Sequence, residues 1–281
     1  MYLVLSLHNP NCEGWPIVSN LASDVFYKHS GRMGLSVPAI LIVGLPAIVL
    51  LSAIYAYIVA YCPIVGWVNA IFLGGYVMGG GIVLAILAKQ SKCRNPGMLF
   101  WLGFVAGVVG LYSAWVFFVK ALAGGEFSTI SLATNPAALW GHISAINTNG
   151  WWGPSGMAQW ALVSIEAIVI VGGIATVTAG AIDRDAFCEE CGTWCDQFEK
   201  MHLKPTPEML VTSLDKLNHM ELLALDDADV TDYPRIDAEV LQCSGCKKTQ
   251  AIRFKKLSQV QEEGGLKEKS EDIPNLLIQK K

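Results

Sequence analysis

Charge is what this chain of 281 residues has least of, and the shortage is concentrated in one region. Asp, Glu, Lys and Arg make up 16% of it, against about 25% in ordinary soluble domains. Residues 35–182 hold only Lys89, Lys92, Arg94, Lys120, Glu126 and Glu166. So little charge over that length excludes a water-exposed globular surface there. The motifs of common enzyme classes are missing too. There is no phosphate-binding Gly-rich loop, no Gly-x-Ser-x-Gly elbow, no His-Glu-x-x-His pair and no dinucleotide fingerprint. The five histidines are scattered and form no hydrolytic metal cluster, so no enzyme is expected. The opening MYLVLSLHNPNCEGW lacks the basic residues that begin a secretory signal. Residues 1–34 are therefore expected to be a cytoplasmic segment packed at the membrane surface.

What the chain does have is long apolar runs. A bilayer core about 30 Å thick needs roughly 20 apolar residues of helix. Four stretches qualify, at about 35–61, 64–88, 97–119 and 157–182, with a longer loop over 120–156. Lys28 and Arg32 precede the first, Lys89, Lys92 and Arg94 lie between the second and third, and Arg184 follows the fourth. Basic residues mark the cytoplasmic side, which puts both termini there. The aromatic residues Tyr55, Tyr57, Tyr61, Trp67, Trp115, Trp151, Trp152 and Trp160 are expected to gather at the outer interface. In the outer loop, Asn135-Pro136 reads as the cap and first residue of a short helix. Its apolar face, Trp140, Ile143 and Ile146, is expected to lie flat on the bilayer. His142 in this helix reads as an interfacial histidine, with a metal or proton role as the alternative.

Within the spans, Gly75-x3-Gly79 and Gly103-x3-Gly107 are small-residue patterns that let helix backbones approach closely. They fit packing of the second span on the third, or an interface between subunits. Pro38 and Pro46 are expected to kink or loosen the first span. Glu166 lies well inside the fourth span, about 14 Å from its start. A carboxyl at that depth must be protonated, paired or wetted. It reads either as an intramembrane ion or proton site, or as a neutral carboxyl bonded to a neighbour such as Ser113 or Asn69.

Beyond Asp183 the composition reverses. Residues 183–281 carry 14 Lys and Arg against 20 Asp and Glu, a net charge of −6. Here sit Cys188-x2-Cys191 and Cys243-x2-Cys246, four thiolates suited to one tetrahedral Zn²⁺ in a structural role. Cys195 and His202 are spare ligands. A redox dithiol is the alternative, but a cytosolic location and the absence of a thioredoxin-like pattern oppose it. Gly245 stands where a tight turn needs it, and 236–241 and 250–257 alternate like two strands, so the second pair caps a hairpin. The pattern resembles a zinc ribbon over 186–198 and 236–258, with a helical insertion over 197–235 in place of the usual shorter link. Thr206-Pro207 starts a helix there, with Leu210, Leu214 and Leu217 on one face. The negative charge argues against nucleic acid. Lys247, Lys248, Arg253, Lys255 and Lys256 read as facing anionic lipid, or as one solvated strand face. The stretch 259–272 reads as a flexible hairpin or loop.

Ser30-Gly-Arg32, Tyr55-Ala-Tyr57, Lys92-Cys-Arg-Asn-Pro96 and Cys188-Glu-Glu-Cys191 together resemble uncharacterised bacterial four-span inner-membrane proteins with a cytoplasmic zinc-ribbon tail. The resemblance implies an inner-membrane location and supplies no activity. The expected fold is an α-helical membrane protein of four transmembrane helices plus a small α+β zinc-ribbon-like domain. The leading functional expectation is a homo-oligomeric membrane scaffold or adaptor whose zinc-stabilised domain binds a cytosolic protein. The alternative is an ion channel, transporter or gated membrane effector using Glu166 and the glycine-rich helices.

Overall fold

Four helices carry the apolar runs, over Ser36–Tyr61, Asn69–Gln90, Pro96–Leu122 and Met157–Gly180, each long and apolar enough to cross a membrane. The computed structural model describes residues 26–62, 67–124, 126–150, 154–211, 222, 225–262 and 265–273. Most of the N-terminal surface segment lies outside the described residues, as do Trp151, Trp152, Leu214 and Leu217.

The first span joins α1 (Ser36–Ala39), a π-helical turn (Ile40–Gly44) and α2 (Leu45–Tyr61). Pro46 accounts for the wide turn. It has no N–H for the carbonyl of Ile42, and its ring crowds that oxygen. Ahead of it, the Leu45 N–H reaches back five residues to the Ile40 carbonyl. α3 (Trp67–Gln90) is the second span. α4 (Pro96–Leu122) is the third, capped by the Asn95 side chain, which accepts from Met98 N–H at 2.9 Å. α5 (Thr129–Thr134) and α6 (Pro136–Asn149) fill the next loop, and α7 (Met157–Gly180) is the fourth span. α6 has the expected cap, with Asn135 accepting from Ala138 N–H at 3.0 Å. The face expected to lie on the bilayer is divided. Ile143 and Ile146, with Leu139, pack with Val116 and Val119 of α4, while Trp140 is exposed and lies 5.5 Å from the Trp160 ring.

α2 packs on α3 and α4, and α7 packs on the same two helices, so α2 and α7 face each other across the bundle axis. Ile48, Tyr55, Tyr76, Leu84, Leu99, Ile170 and Ile174 fill the interior. Leu50, Ile71, Trp101 and Ile168 point outward, an apolar exterior that suits lipid. α4 and α7 approach each other closely. A Cβ on Gly103 would lie 2.9 Å from Ala175 Cα, and one on Gly107 2.9 Å from Val171 Cα. These glycines therefore receive the fourth span rather than the second, because α3 stands across the axis from α4. α3 turns Gly80 toward Ile48 and Ile174, whereas a Cβ on Gly75 or Gly79 would meet nothing within 4 Å.

After α7 the chain forms β1 (Phe187–Cys188), β2 (Thr193–Trp194), β3 (Asp196–Leu203), α8 (Pro207–Val211), β4 (Arg235–Gln242), β5 (Thr249–Glu262) and β6 (Gly265–Asp272). β1 and β2 pair antiparallel, and the other four form one sheet in the order β3-β4-β5-β6. β4 and β5 are the two strands expected around the second cysteine pair. Within 259–272, the described residues of β5 and β6 pair antiparallel, in register from Lys255↔Asp272 to Glu262↔Gly265. β3 occupies the start of the segment expected to be helical, and α8 begins with Met209 N–H donating to Thr206 O at 3.1 Å.

β4 is buried on both faces. Ile236 and Ala238 join Leu203, Ile252 and Phe254 in a core, while Arg235, Asp237 and Glu239 alternate with them. Their charges tolerate burial because each is paired. Asp237 meets Lys200 at 2.6 Å, His202 at 2.7 Å and Arg235 at 3.1 Å. Glu239 meets Arg253 at 2.6 Å and Lys255 at 2.8 Å. Arg253 and Lys255 thus serve a cross-strand carboxylate rather than a lipid-facing patch. By packing, Lys28–Phe198 with Leu241–Lys248 form one compact unit. Glu199–Val240 with the described residues from Thr249 onward form another. All four paired cysteines belong to the first.

Candidate metal centre

Two Cys-x2-Cys turns share one backbone design. The N–H after each second cysteine folds back onto the first, Gly192 to the Cys188 carbonyl at 2.8 Å and Lys247 to the Cys243 carbonyl at 2.9 Å. Both residues are left-handed, with φ of 65° at Gly192 and 60° at Lys247. The Cys191 N–H is aimed at the Cys188 sulfur, and the N–H groups of Cys246 and Gly245 at the Cys243 sulfur. Gly245 matters for a reason the sequence did not show. It has no positive φ, but a Cβ there would lie 3.1 Å from Cys191 Sγ and 3.7 Å from Cys243 Sγ. Its missing side chain makes room for sulfur, and the left-handed position falls to Lys247.

The ligand sulfurs of Cys188, Cys191, Cys243 and Cys246 all lie within 4.8 Å of one another. The Cys188–Cys246 separation is 3.7 Å, far beyond a disulfide bond of about 2.05 Å. Tetrahedral coordination with metal–sulfur bonds of about 2.3 Å puts sulfurs ~3.8 Å apart. The four cysteines can therefore hold a metal ion. The Cys243 thiol is pulled down to about 6, first by the Cys246 N–H and then by the Thr193 hydroxyl. Cys191 is pushed up to about 12, first by its hydrogen bonds with the Cys243 and Cys246 thiols. Four thiolates in so small a space repel one another, and a bound cation offsets that repulsion. The spare ligands stand apart. Cys195 is held by its N–H to the Ala186 carbonyl at 2.9 Å, and its thiol is pushed up to about 12, chiefly by burial. His202 is engaged by Asp237.

The first turn is bolted to the helix ends by contacts that sequence reading missed. Arg94, in the loop between α3 and α4, pairs with Glu189 and lies 4.2 Å over the Phe187 ring. Arg32 reaches the same carboxylate at 3.7 Å. Burial opposes ionisation of Glu189, yet hydrogen bonds from Ser30 and Arg94 hold its carboxyl below the usual range. Lys89 pairs with Asp185, and the Trp194 indole N–H donates to the Lys89 carbonyl at 2.9 Å. Glu190 crosses to Lys248, just past the second turn, at 2.5 Å. Both acids of Cys188-Glu-Glu-Cys191 thus tie the turn to its surroundings. The available signal was charge complementarity between the basic loop at 89–94 and the acids at 185–190.

Glu166 is far from this centre in the chain and has a different partner from those expected. The Tyr55 hydroxyl donates to its Oε1 at 2.7 Å, rather than Ser113 or Asn69. Tyr55 is buried in the bundle, not placed in an interfacial belt. His142 lies 4.9 Å from the Phe127 ring, and among the described residues it joins no cluster with metal-ligand spacing. No family model, curated protein or solved structure matches the chain, so the four-sulfur turns and the four apolar helices carry the functional reading.

Proposed function

We propose that this chain is an oligomeric integral membrane scaffold or adaptor of the bacterial inner membrane, whose cytoplasmic, zinc-stabilised domain binds a protein partner. The observation that carries the reading is the four-cysteine cluster braced against the ends of the spans. Four sulfur donors complete a tetrahedral shell and leave no open position for substrate, which favours a structural ion. Thiolate donors at that geometry favour Zn²⁺. The basic residues Lys28, Arg32, Lys89, Lys92, Arg94 and Arg184 support cytoplasmic termini. The β5–β6 hairpin carries the exposed apolar residues Val260 and Leu266, which suit a partner-binding edge. The open Gly75 and Gly79 face of α3 suits contact with a second copy.

A photo-crosslinking residue at Leu266, in cells, tests the proposal. A cytosolic protein is expected to couple there in wild type and to be lost in Cys243→Ser. The competing reading is an ion channel, transporter or gated effector, favoured by the Tyr55–Glu166 bond inside the bundle. No adduct at Leu266, together with ion flux in proteoliposomes that Glu166→Gln abolishes, would replace the scaffold with that reading.

A further inference from the structure

We infer that Glu166 is an intramembrane proton-binding site, closed by Tyr55 from across the bundle axis. This stands on the geometry within the spans and not on the scaffold reading. α2 and α7 are diagonal partners, so the Tyr55–Glu166 bond of 2.7 Å links helices across the axis, with Tyr55 buried and Glu166 half-buried. It does not stand alone. The Tyr55 and Tyr76 rings stack at 5.0 Å with 9° between their planes. The Tyr76 hydroxyl meets Ser52 Oγ at 2.8 Å, and Ser52 Oγ donates to the Ile48 carbonyl at 2.7 Å. α4 is shaped to this cluster by Gly110, where a Cβ would collide with the Tyr76 hydroxyl and lie 2.9 Å from Ile48 Cγ2. Three helices supply polar groups to one cluster, in which Tyr55, Tyr76 and Ser52 are buried and Glu166 is half-buried, and the fourth makes room for them.

Among the described residues the cluster brings no counter-charge. On the elements packed against α7, ionisable side chains are engaged elsewhere. Lys89 pairs with Asp185, Lys120 donates to the Thr129 hydroxyl at 2.7 Å, Tyr112 donates to the Ala133 carbonyl at 2.8 Å, and His142 lies against Phe127. Tyr55, with Tyr76 stacked on it, is the titratable group bonded to Glu166. An unpaired carboxylate at that depth in hydrocarbon is strongly disfavoured. A metal cation needs more oxygen donors than one carboxyl and one phenol. A proton needs neither counter-charge nor further ligands. The neutral carboxyl accepts the Tyr55 hydrogen on Oε1 and keeps its own proton on Oε2. Release transfers that proton to water and leaves a carboxylate that still accepts the Tyr55 bond, so it requires water at Glu166. Proton release and water entry are therefore coupled.

Infrared spectroscopy of the full chain in lipid vesicles at neutral pH tests this. A carbonyl stretch from a protonated carboxyl is expected, slow to respond to D₂O and absent in Glu166→Gln. Gln retains an oxygen that accepts the Tyr55 bond, so that variant should keep the fold. Tyr55→Phe removes the donated hydrogen bond and should move the band to higher frequency and speed its response to D₂O. Absence of a Glu166-dependent band would mean an ionised carboxylate and overturn the assignment. A band that Tyr55→Phe leaves unchanged would overturn the closure by Tyr55.

Discussion

Gly107→Ala measures how much of the helix bundle depends on a missing side chain. The new Cβ would stand 2.9 Å from Val171 Cα and 3.2 Å from the Val171 carbonyl oxygen. Carbon atoms pack best at about 3.5–4.0 Å, so α4 and α7 must separate by roughly 0.6 Å or more at this level. A gap of that size forfeits about a quarter of each dispersion contact along the seam, and overpacking of this kind costs about 1–3 kcal/mol. Van der Waals packing is the main attraction between helices in lipid, so the loss is not recovered elsewhere. Ala also removes the glycine backbone penalty, worth about 1 kcal/mol in a helix, which would mask part of the effect. Gly172→Ala makes the same backbone gain without the collision, since its Cβ meets nothing within 4 Å. The difference between the two variants therefore isolates the steric cost. Gly107→Ala is expected to be about 1–3 kcal/mol less stable than Gly172→Ala, roughly 5- to 150-fold in the unfolding equilibrium. Titration from mild detergent into SDS micelles, followed by circular dichroism, reads it. Equal stability of the two variants would refute the close α4–α7 contact.

Three further outcomes are expected. Elemental analysis of the purified chain should find about one zinc per chain, as a single four-sulfur site requires, and little in Cys243→Ser, with the spans still inserted; full zinc in that variant would remove Cys243 from the ligand set. Arg94→Ala leaves Glu189 short of a partner and uncovers Phe187, so zinc should pass to a chelator several-fold faster than in Lys28→Ala, as a bracing contact worth about 1 kcal/mol implies; equal rates would show that the ion pair does not brace the turn. The acid response of the sheet follows from Asp237 and Glu239. Burial opposes their ionisation, but Lys200, His202 and Arg235, and Lys255 and Arg253, hold both carboxyls below the usual range. Their contribution is full above the unfolded values near 4, and is lost as pH falls through the lower folded values. Denaturation midpoints of wild type should drop between about pH 5 and pH 2, with a smaller drop in Asp237→Asn/Glu239→Gln; parallel profiles would rule the pairs out as the source.

The four spans were legible because lipid imposes length and composition on a helix before any neighbour is considered. The cysteine turns were legible because two ligands separated by two residues can reach one ion through local backbone alone. Asn135 announced its helix for the same local reason. Contacts between distant segments left weaker traces. Ile143 and Ile146 read as part of a face lying on the bilayer with Trp140, but they pack with Leu139 on α4. Gly103 and Gly107 were recognisable as a packing stripe, but nothing in the spacing said that α7 would lie in it. Arg253 and Lys255 read as a basic strand face, because Glu239 stands fourteen and sixteen residues earlier in the chain.

By itself, then, the sequence determined four helices long and apolar enough to cross a membrane and, after them, two cysteine pairs able to hold a metal ion, since hydrophobic length and ligand spacing are properties of neighbouring residues. Only the tertiary structure decided that α2 and α7 oppose each other across an axis, that Tyr55 meets Glu166 there, and that Arg94 and Lys89 hold the first cysteine turn. Each of those depends on which helix stands beside which, and that choice is made by side-chain packing between segments a hundred residues apart.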